Sequence, residues 1–233
     1  MGKNKLARWA EIKTFGNVIE PDNSTARDNP HPLKGLWKSS FFRNDNPLVL
    51  ELGCGKGEYT TGLARLMPGK NFIGIDIKGA RLWRGAKTAF ENNLTNVLFI
   101  RTRIEFITSF FTEDEIDEIW ITFPDPHPKG RSASRRLTSP VFLNMYRTFL
   151  RDNGVIHLKT DNEMLYRYTE NIALSNKLDI IASLTDIHSS ENPDEILSLK
   201  TFYEAGFIKE GRPIYYLSFR LSRDKEIIYE HRQ

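Results

Sequence analysis

From residue 45 onward, short apolar runs alternate with helical patterns, and this alternation limits the fold more than any other feature of the chain. Strand and helix in strict succession give βαβ units, which require a mostly parallel sheet with helices on both faces. LVLEL (48–52), NFIGIDI (71–77), NVLFIR (96–101), EIDEIWITFPDP (115–126), VIHLKTD (155–161), LDIIASLTD (178–186) and IYYLSFRL (214–221) are the predicted strands, seven in all. Between them lie helical patterns: GEYTTGLARLM, stopped by Pro68-Gly69; GARLWRGAKTAFENN, with Leu82, Ala86, Ala89 and Phe90 on one stripe; the short IEFITSFF; SPVFLNMYRTFLRDNG, with Pro140 in its first turn and Gly154 beyond its end; NEMLYRYTENIALS; and ENPDEILSLKTFYEAG. The expected fold is α/β, a seven-stranded, mostly parallel, doubly wound sheet of the Rossmann-like kind. Residues 45–233 form its domain, and residues 1–44, with Pro21, Pro30 and Pro32, form an irregular, partly flexible arm. Ligands of such sheets gather at the carboxyl ends of the strands.

LELGCGKGEYT holds Gly53, Gly55 and Gly57 at the mouth of a helix, where a tight turn lets a ligand approach the backbone. The spacing is G-x-G-x-G, and Glu51 precedes the loop inside the strand. A carboxylate there repels a pyrophosphate and attracts an ammonium group, which favours S-adenosyl-L-methionine over the dinucleotide of an NAD-dependent oxidoreductase. Asp76, at the end of the second strand, suits the ribose hydroxyls of an adenosine under either cofactor. Arg103 and Ile104 mark the third strand's end, where the adenine would lie.

The fourth strand ends in Phe123-Pro124-Asp125-Pro126-His127-Pro128-Lys129. Three prolines fix the path of the chain and hold Asp125 stiffly at the mouth of the sheet, beside the reactive end of the cofactor. Lys129, Arg131, Arg135 and Arg136 follow, a set suited to phosphates around an acceptor base; Asp125 read as a turn former is the bland alternative. Asp161 ends the fifth strand and also suits a helix cap. Cys54 has no histidine nearby in sequence for nucleophilic chemistry, and as a lone cysteine it fits a reducing, cytoplasmic setting. No His, Asp and Glu cluster has metal-ligand spacing. The start of the chain lacks the apolar core of a signal peptide, and no stretch approaches a membrane span.

The formal net charge is only +3, but its distribution is uneven. Residues 1–43 carry eight bases against four acids, residues 127–159 seven bases against one acid, and residues 105–118 six acids and no base. Two basic segments around a neutral body point to a polyanion, with solvated faces as the alternative.

ELGCGKG, FIGIDIKGARLWRGAK, FPDPHPKGRSASRR, HLKTD and TFYE, in this order, resemble the bacterial tRNA (guanine-N7-)-methyltransferase family over about residues 47–221. The resemblance implies a class I methyltransferase that uses S-adenosyl-L-methionine to methylate N7 of a guanosine in the variable loop of tRNA, at position 46 of the tRNA. It implies cofactor contacts at Glu51, Gly53, Gly55, Asp76, Arg103 and Asp125, a catalytic Asp125, and substrate contacts at Lys129, Asp161, Thr201, Phe202, Tyr203 and Glu204. Two positions depart from the family pattern: His127-Pro128 stands where Trp-His is common, and Arg103 where Asn or Asp is common. The tRNA is expected on loop 129–136 and the N-terminal arm. A methyltransferase for small molecules or proteins leaves the basic loop unexplained, and the intact Glu51, glycines and Asp76 argue against a non-catalytic RNA-binding module.

Overall fold

The computed structural model describes residues 3–22, 29–189 and 194–229, and at residues 3–5, 202 and 203 the backbone alone. Arg27 of the basic arm, residues 191–193 of the last helical pattern and the side chains of Lys3, Lys5, Phe202 and Tyr203 lie outside the described residues. The chain divides into two compact units, one up to Thr112 and one from Glu113 onward.

The first unit contains helix α1 (Lys3–Ile12), strand β1 (Val18–Ile19), a π-helical turn (Trp37–Phe42), β2 (Leu48–Leu52), α2 (Glu58–Leu66), β3 (Asn71–Ile75), α3 (Gly79–Glu91), β4 (Val97–Ile100) and a 3-10 turn (Ile104–Ser109). Its strands run β1-β4-β3-β2, all parallel. Every residue of β2, β3 and β4 is buried, as in a parallel sheet covered on both faces. Register sets Leu52 beside Ile75 and Ile75 beside Ile100, so the three strands finish in one row, and the segments that leave them share an edge.

Phe99, with no exposed surface, fills the space under that edge. It can do so because three neighbours lack side chains. A Cβ on Gly57 would lie 2.6 Å from the Phe99 ring and 2.9 Å from Cα of Gly85, and one on Gly74 would lie 2.8 Å from the ring. Gly57 also has φ +66°, a left-handed conformation that glycine adopts without strain.

The segment expected to be irregular is built into this unit. Trp83 and Lys87 of α3 donate to Glu11 of α1 at 2.8 and 2.9 Å, and those two bonds hold the Glu11 carboxyl below its ordinary range. β1 adds the eighth strand among the described residues, one more than the apolar runs foretell. Trp37 is fully buried, donates to the Phe110 carbonyl at 2.7 Å and stacks on His31. Phe90, expected on the buried stripe of α3, is 65% exposed and lies against Phe15, with ring centres 5.8 Å apart.

The second unit contains β5 (Ile116–Thr122), a 3-10 turn (Gly130–Arg135), α4 (Pro140–Tyr146), β6 (Leu150–Thr160), α5 (Glu163–Ser175), β7 (Ile180–Leu184), α6 (Phe202–Lys209) and β8 (Tyr215–Leu221). The strand order is β5-β6-β8-β7, with β5 and β6 parallel and β8 antiparallel to both its neighbours. Two helical expectations are corrected. The helix from Ser139 ends at Tyr146, and the stretch to Gly154 belongs to β6. Leu150 pairs with Ile116, the ladder bulges, and pairing resumes at Val155 opposite Glu118. Gly154 closes the bulge against Leu150, whose Cγ lies 2.6 Å from where a Cβ would be. The last helix begins only at Phe202, where Thr201 and Glu204 form a capping box.

Candidate active site

In the first unit, the row formed by Leu52, Ile75 and Ile100 leads directly into the glycine loop, Asp76 and Arg101. Gly53 and Gly55 have φ +75° and +56°, and nothing lies within 4 Å of a Cβ built on Gly53. The loop's outer side is therefore open, whereas Gly57 is closed against Phe99. Asp76 bridges the loop: one carboxylate oxygen accepts from Gly55 N–H at 2.9 Å and the other from Lys78 N–H at 2.7 Å.

Glu51 is 3% exposed. Its Oε2 accepts the backbone N–H of Thr60 at 2.8 Å and the Thr60 hydroxyl. This joins the end of β2 to the first turn of α2, where a negative charge complements the helix dipole. Cys54 is buried in the loop, and burial, then Glu51 and Asp76, push its thiol well above its ordinary range, so no thiolate is present for nucleophilic attack. Arg103 stands exposed at the start of the 3-10 turn. An open glycine backbone flanked by an acid at each of two strand ends fits an adenosine ligand with an amino-acid tail; Gly53, Gly55 and Asp76 would hold it.

In the second unit, Thr122 pairs with Lys159 and Phe123 N–H donates to the Lys159 carbonyl at 2.8 Å. This brings the ends of β5 and β6, and hence Asp125 and Asp161, to one edge. Asp125 is exposed, and its Oδ1 accepts the His127 N–H at 3.3 Å. Phe123 and His127, on either side of it, have φ +47° and +42°. Such backbone costs on the order of 1–3 kcal/mol per residue and persists only where the surroundings enforce it. Both residues precede a proline, which restricts them further.

The seven bases of residues 127–159 separate into two groups. Lys129, Arg131 and Arg135 are exposed around the 3-10 turn that follows Asp125. The other four are engaged within their own unit, Arg151 from an exposed position. Arg136, expected on phosphates, is 5% exposed and donates to the carbonyls of Pro126 at 3.1 Å and His127 at 3.0 Å. Arg147 donates to the Ser222 carbonyl at 3.1 Å, and Arg151 pairs with Asp117 at 3.4 Å. Lys159 has no exposed surface; it donates to the carbonyls of Leu197 and Leu199 and to Glu204 at 2.7, 2.9 and 2.9 Å. Burial pulls the Lys159 ammonium below its ordinary range, and Glu204 opposes the shift.

Asp161 pairs with Arg212, whose guanidinium lies 4.4 Å from the centre of the Phe207 ring. The cap of α5 is Asn162, which accepts from Leu165 N–H at 2.9 Å, so Asp161 is not that helix's cap. Thr201 and Glu204 are buried at the start of α6. The acidic stretch is likewise engaged: Glu113 and Asp114 pair with Arg223. The roles of Thr60, Arg136 and Lys159 escape a reading of the sequence, although Thr201-x-x-Glu204 carries the capping-box pattern openly.

A sheet with a glycine loop and two acids at its strand ends defines a methyltransferase of the Rossmann-like class. The family model described as "Putative methyltransferase" matches residues 45–217. A tRNA (guanine-N(7)-)-methyltransferase of Christiangramia forsetii is 50% identical over 94% of this chain and 98% of that protein. One of Bacteroides fragilis is 46% identical over 97% of this chain and 89% of that protein. The chain belongs to the tRNA (guanine-N(7)-)-methyltransferase family. Among solved structures, the 16S rRNA methyltransferase KamB aligns with a TM-score of 0.60 at 14% identity, over 81% of this chain and 92% of its own. The 16S rRNA (adenine(1408)-N(1))-methyltransferase of Catenulisporales acidiphilia, solved with SAM, aligns at 0.54 and 12% identity, over 87% and 98%. These two show the fold.

Proposed function

We propose that this chain transfers the methyl group of S-adenosyl-L-methionine to N7 of a guanosine in the variable loop of tRNA, at position 46. The observation that carries this reading is the Asp125 turn, stiffened by three prolines and followed at once by the exposed cations Lys129, Arg131 and Arg135. The relatives' names supply the acceptor atom.

Guanine N7 bears a lone pair and no proton, so the protein has no base to supply and contributes mainly alignment. The cofactor supplies an electrophilic methyl group: the N7–carbon bond forms as the sulfur–carbon bond breaks, and the positive charge passes to the purine. Asp125 faces that developing charge with a fixed carboxylate. Lys129, Arg131 and Arg135 hold phosphates of the tRNA, and Lys13 and Arg43, both exposed in the first 44 residues, are further cations available to the RNA. Asp161, held by its pair with Arg212, meets the guanine, and the buried Thr201 and Glu204 act through the capping box that fixes the start of α6. The substrate sets the enzyme's place in the cytoplasm; among the described residues no helix is long and apolar enough to cross a membrane.

The test is incubation with labelled S-adenosyl-L-methionine and unmodified bulk tRNA, then nuclease digestion. Label is expected in 7-methylguanosine from the variable loop. Label in another nucleoside, or none in tRNA, defeats the reading.

A further inference from the structure

Arg135 and Arg136 are adjacent, identical in type and opposite in circumstance. Arg135 is exposed; Arg136 is 5% exposed, with its guanidinium turned to the backbone of its own loop. No carboxylate among the described residues pairs with it. Its planar fork instead spans two consecutive carbonyls, Nε to Pro126 and one terminal nitrogen to His127. Its carbon atom Cζ lies 4.2 Å from the centre of the Tyr168 ring on α5, so the guanidinium has an aromatic face on one side and the turn's backbone on the other. Ser139, which caps α4, accepts from Phe142 N–H and donates to the Ser134 carbonyl, fixing the segment that carries Arg136.

The backbone so held is the one that needs holding. His127 sits at φ +42° before Pro128, and its N–H is the donor that fixes the Asp125 carboxylate. Three prolines in the segment leave few backbone donors with which to stabilise the turn from within. The constraint therefore comes from outside, through acceptors alone, and Arg136 is the side chain that engages them.

We propose that Arg136 is a positioning residue for methyl transfer, which clamps the Pro126–His127 backbone between its guanidinium and α5 and so fixes the aim of the Asp125 carboxylate. The proposal rests on the reading of Asp125 as the group beside the reacting guanine. It assigns the two neighbouring arginines different tasks: Arg135 binds RNA, and Arg136 orients the turn.

The test compares Arg136→Lys, Arg136→Met and Arg135→Ala in the full chain, with an unmodified tRNA transcript, measuring kcat, the KM for each substrate and tRNA affinity across salt. Lysine keeps the charge but loses the planar two-carbonyl fork. Arg136→Lys is expected to lower kcat on the order of 10- to 100-fold with the cofactor KM and tRNA affinity close to wild type. Arg136→Met should leave the slope of log affinity against log salt unchanged, and Arg135→Ala should flatten it by about one. Wild-type kcat in Arg136→Lys, or a flattened slope in Arg136→Met, overturns the proposal, as does a loss that merely follows the folded fraction seen by circular dichroism. Should Arg136→Met not fold, Tyr168→Leu takes its place: a drop in kcat with an unchanged slope supports the clamp, and wild-type kcat refutes it. Failure of the wild-type chain to form 7-methylguanosine defeats the functional reading itself and is distinct from each of these outcomes.

Discussion

Lys159 and Glu204 form an ion pair, 2.9 Å between Nζ and Oε2, in which neither side chain has any exposed surface. It fastens the start of α6 to the middle of the second unit, because the same ammonium also holds the Leu197 and Leu199 carbonyls. The charges compensate each other's desolvation, and without Lys159 the buried Glu204 keeps only long contacts, 3.4 Å each, to His188 and to the Thr201 amide among the described residues. Lys159→Met is expected to destabilise the chain by about 3–5 kcal/mol, lowering the melting temperature by roughly 10 °C for a chain of this length. Lys159→Met combined with Glu204→Leu is expected to recover a good part of that loss. Thermal unfolding of the two single variants and the double variant closes the cycle, and strictly additive losses would contradict a coupled pair.

The glycine loop separates stability from binding. Gly57→Ala forces a Cβ to within 2.6 Å of the Phe99 ring at a positive φ, and a melting temperature lower by several degrees is expected before any ligand is added. Gly53→Ala meets open space, so its cost to folding is only the backbone term of about 1 kcal/mol. Its methyl group instead projects into the space read as the cofactor's. Calorimetry with S-adenosylhomocysteine should show at least tenfold weaker binding for Gly53→Ala; unchanged binding would remove the loop from the cofactor site.

Asp125→Ala tests the other half of the chemistry. The side chain is exposed and contributes one hydrogen bond, to the His127 amide, so folding is expected to change by no more than about 1 kcal/mol. Turnover should fall on the order of a hundredfold, with cofactor affinity within a factor of a few of wild type. Equal losses in both would assign Asp125 to the cofactor instead of the transferring methyl group.

How much of this was open to a reading of the sequence follows from how local each cause is. β2, β3 and β4 announce themselves because both faces of a parallel sheet are covered, so LVLEL, NFIGI and VLFI are apolar throughout but for the buried Glu51 and Asn71. β1 is two residues long and has no pattern to read; only its pairing with β4 makes it a strand. The first half of β6 is hidden because its bulge exposes Arg151, Asp152 and Asn153, which read as a helix end before Gly154. At the candidate site, Glu51 is the last residue but one of β2, and the glycines, Asp76 and Asp125 follow strand ends, so their placement in the fold is legible from position. Arg135 and Arg136 cannot be told apart in sequence, since what distinguishes them is Tyr168, more than thirty residues away on α5. The Lys159–Glu204 pair is likewise a product of tertiary packing: a lysine within HLKT reads as a strand end facing solvent until α6 covers it.

Acid should loosen the second unit through Arg223. Its pairs with Asp114 and Glu113 tie the segment after β8 to the chain just before β5, and the hydrogen bond from Arg223 holds the Asp114 carboxyl below its ordinary range. A carboxyl whose pKa is lowered in the folded state contributes stability above its unfolded value, near pH 4, and loses that contribution as pH falls through the folded one. The groups are largely exposed, so the effect is small and screened by salt. Asp114→Asn is therefore expected to lower the melting temperature slightly at neutral pH, by an amount that shrinks as pH falls below about 4 and the wild-type carboxyl takes up its proton. A constant difference across that range would show that the pair does not titrate.

The separation of the seven bases fixes what salt should do to tRNA binding. Arg147 and Arg151 are bound to carbonyls or a carboxylate of their own unit, so their replacement by alanine should lower stability and leave the salt dependence of tRNA affinity as it was. Lys129, Arg131 and Arg135 show no such side-chain bond among the described residues, and each phosphate contact they make releases counterions on binding. Replacing all three with alanine is expected to reduce the slope of log affinity against log salt by about two to three, with little change in melting temperature. Filter binding of an unmodified tRNA transcript between low and physiological salt measures it. A slope unmoved by the triple substitution would take the RNA off this loop and leave the exposed cations of the first 44 residues, Lys13 and Arg43 among them, to carry the contact.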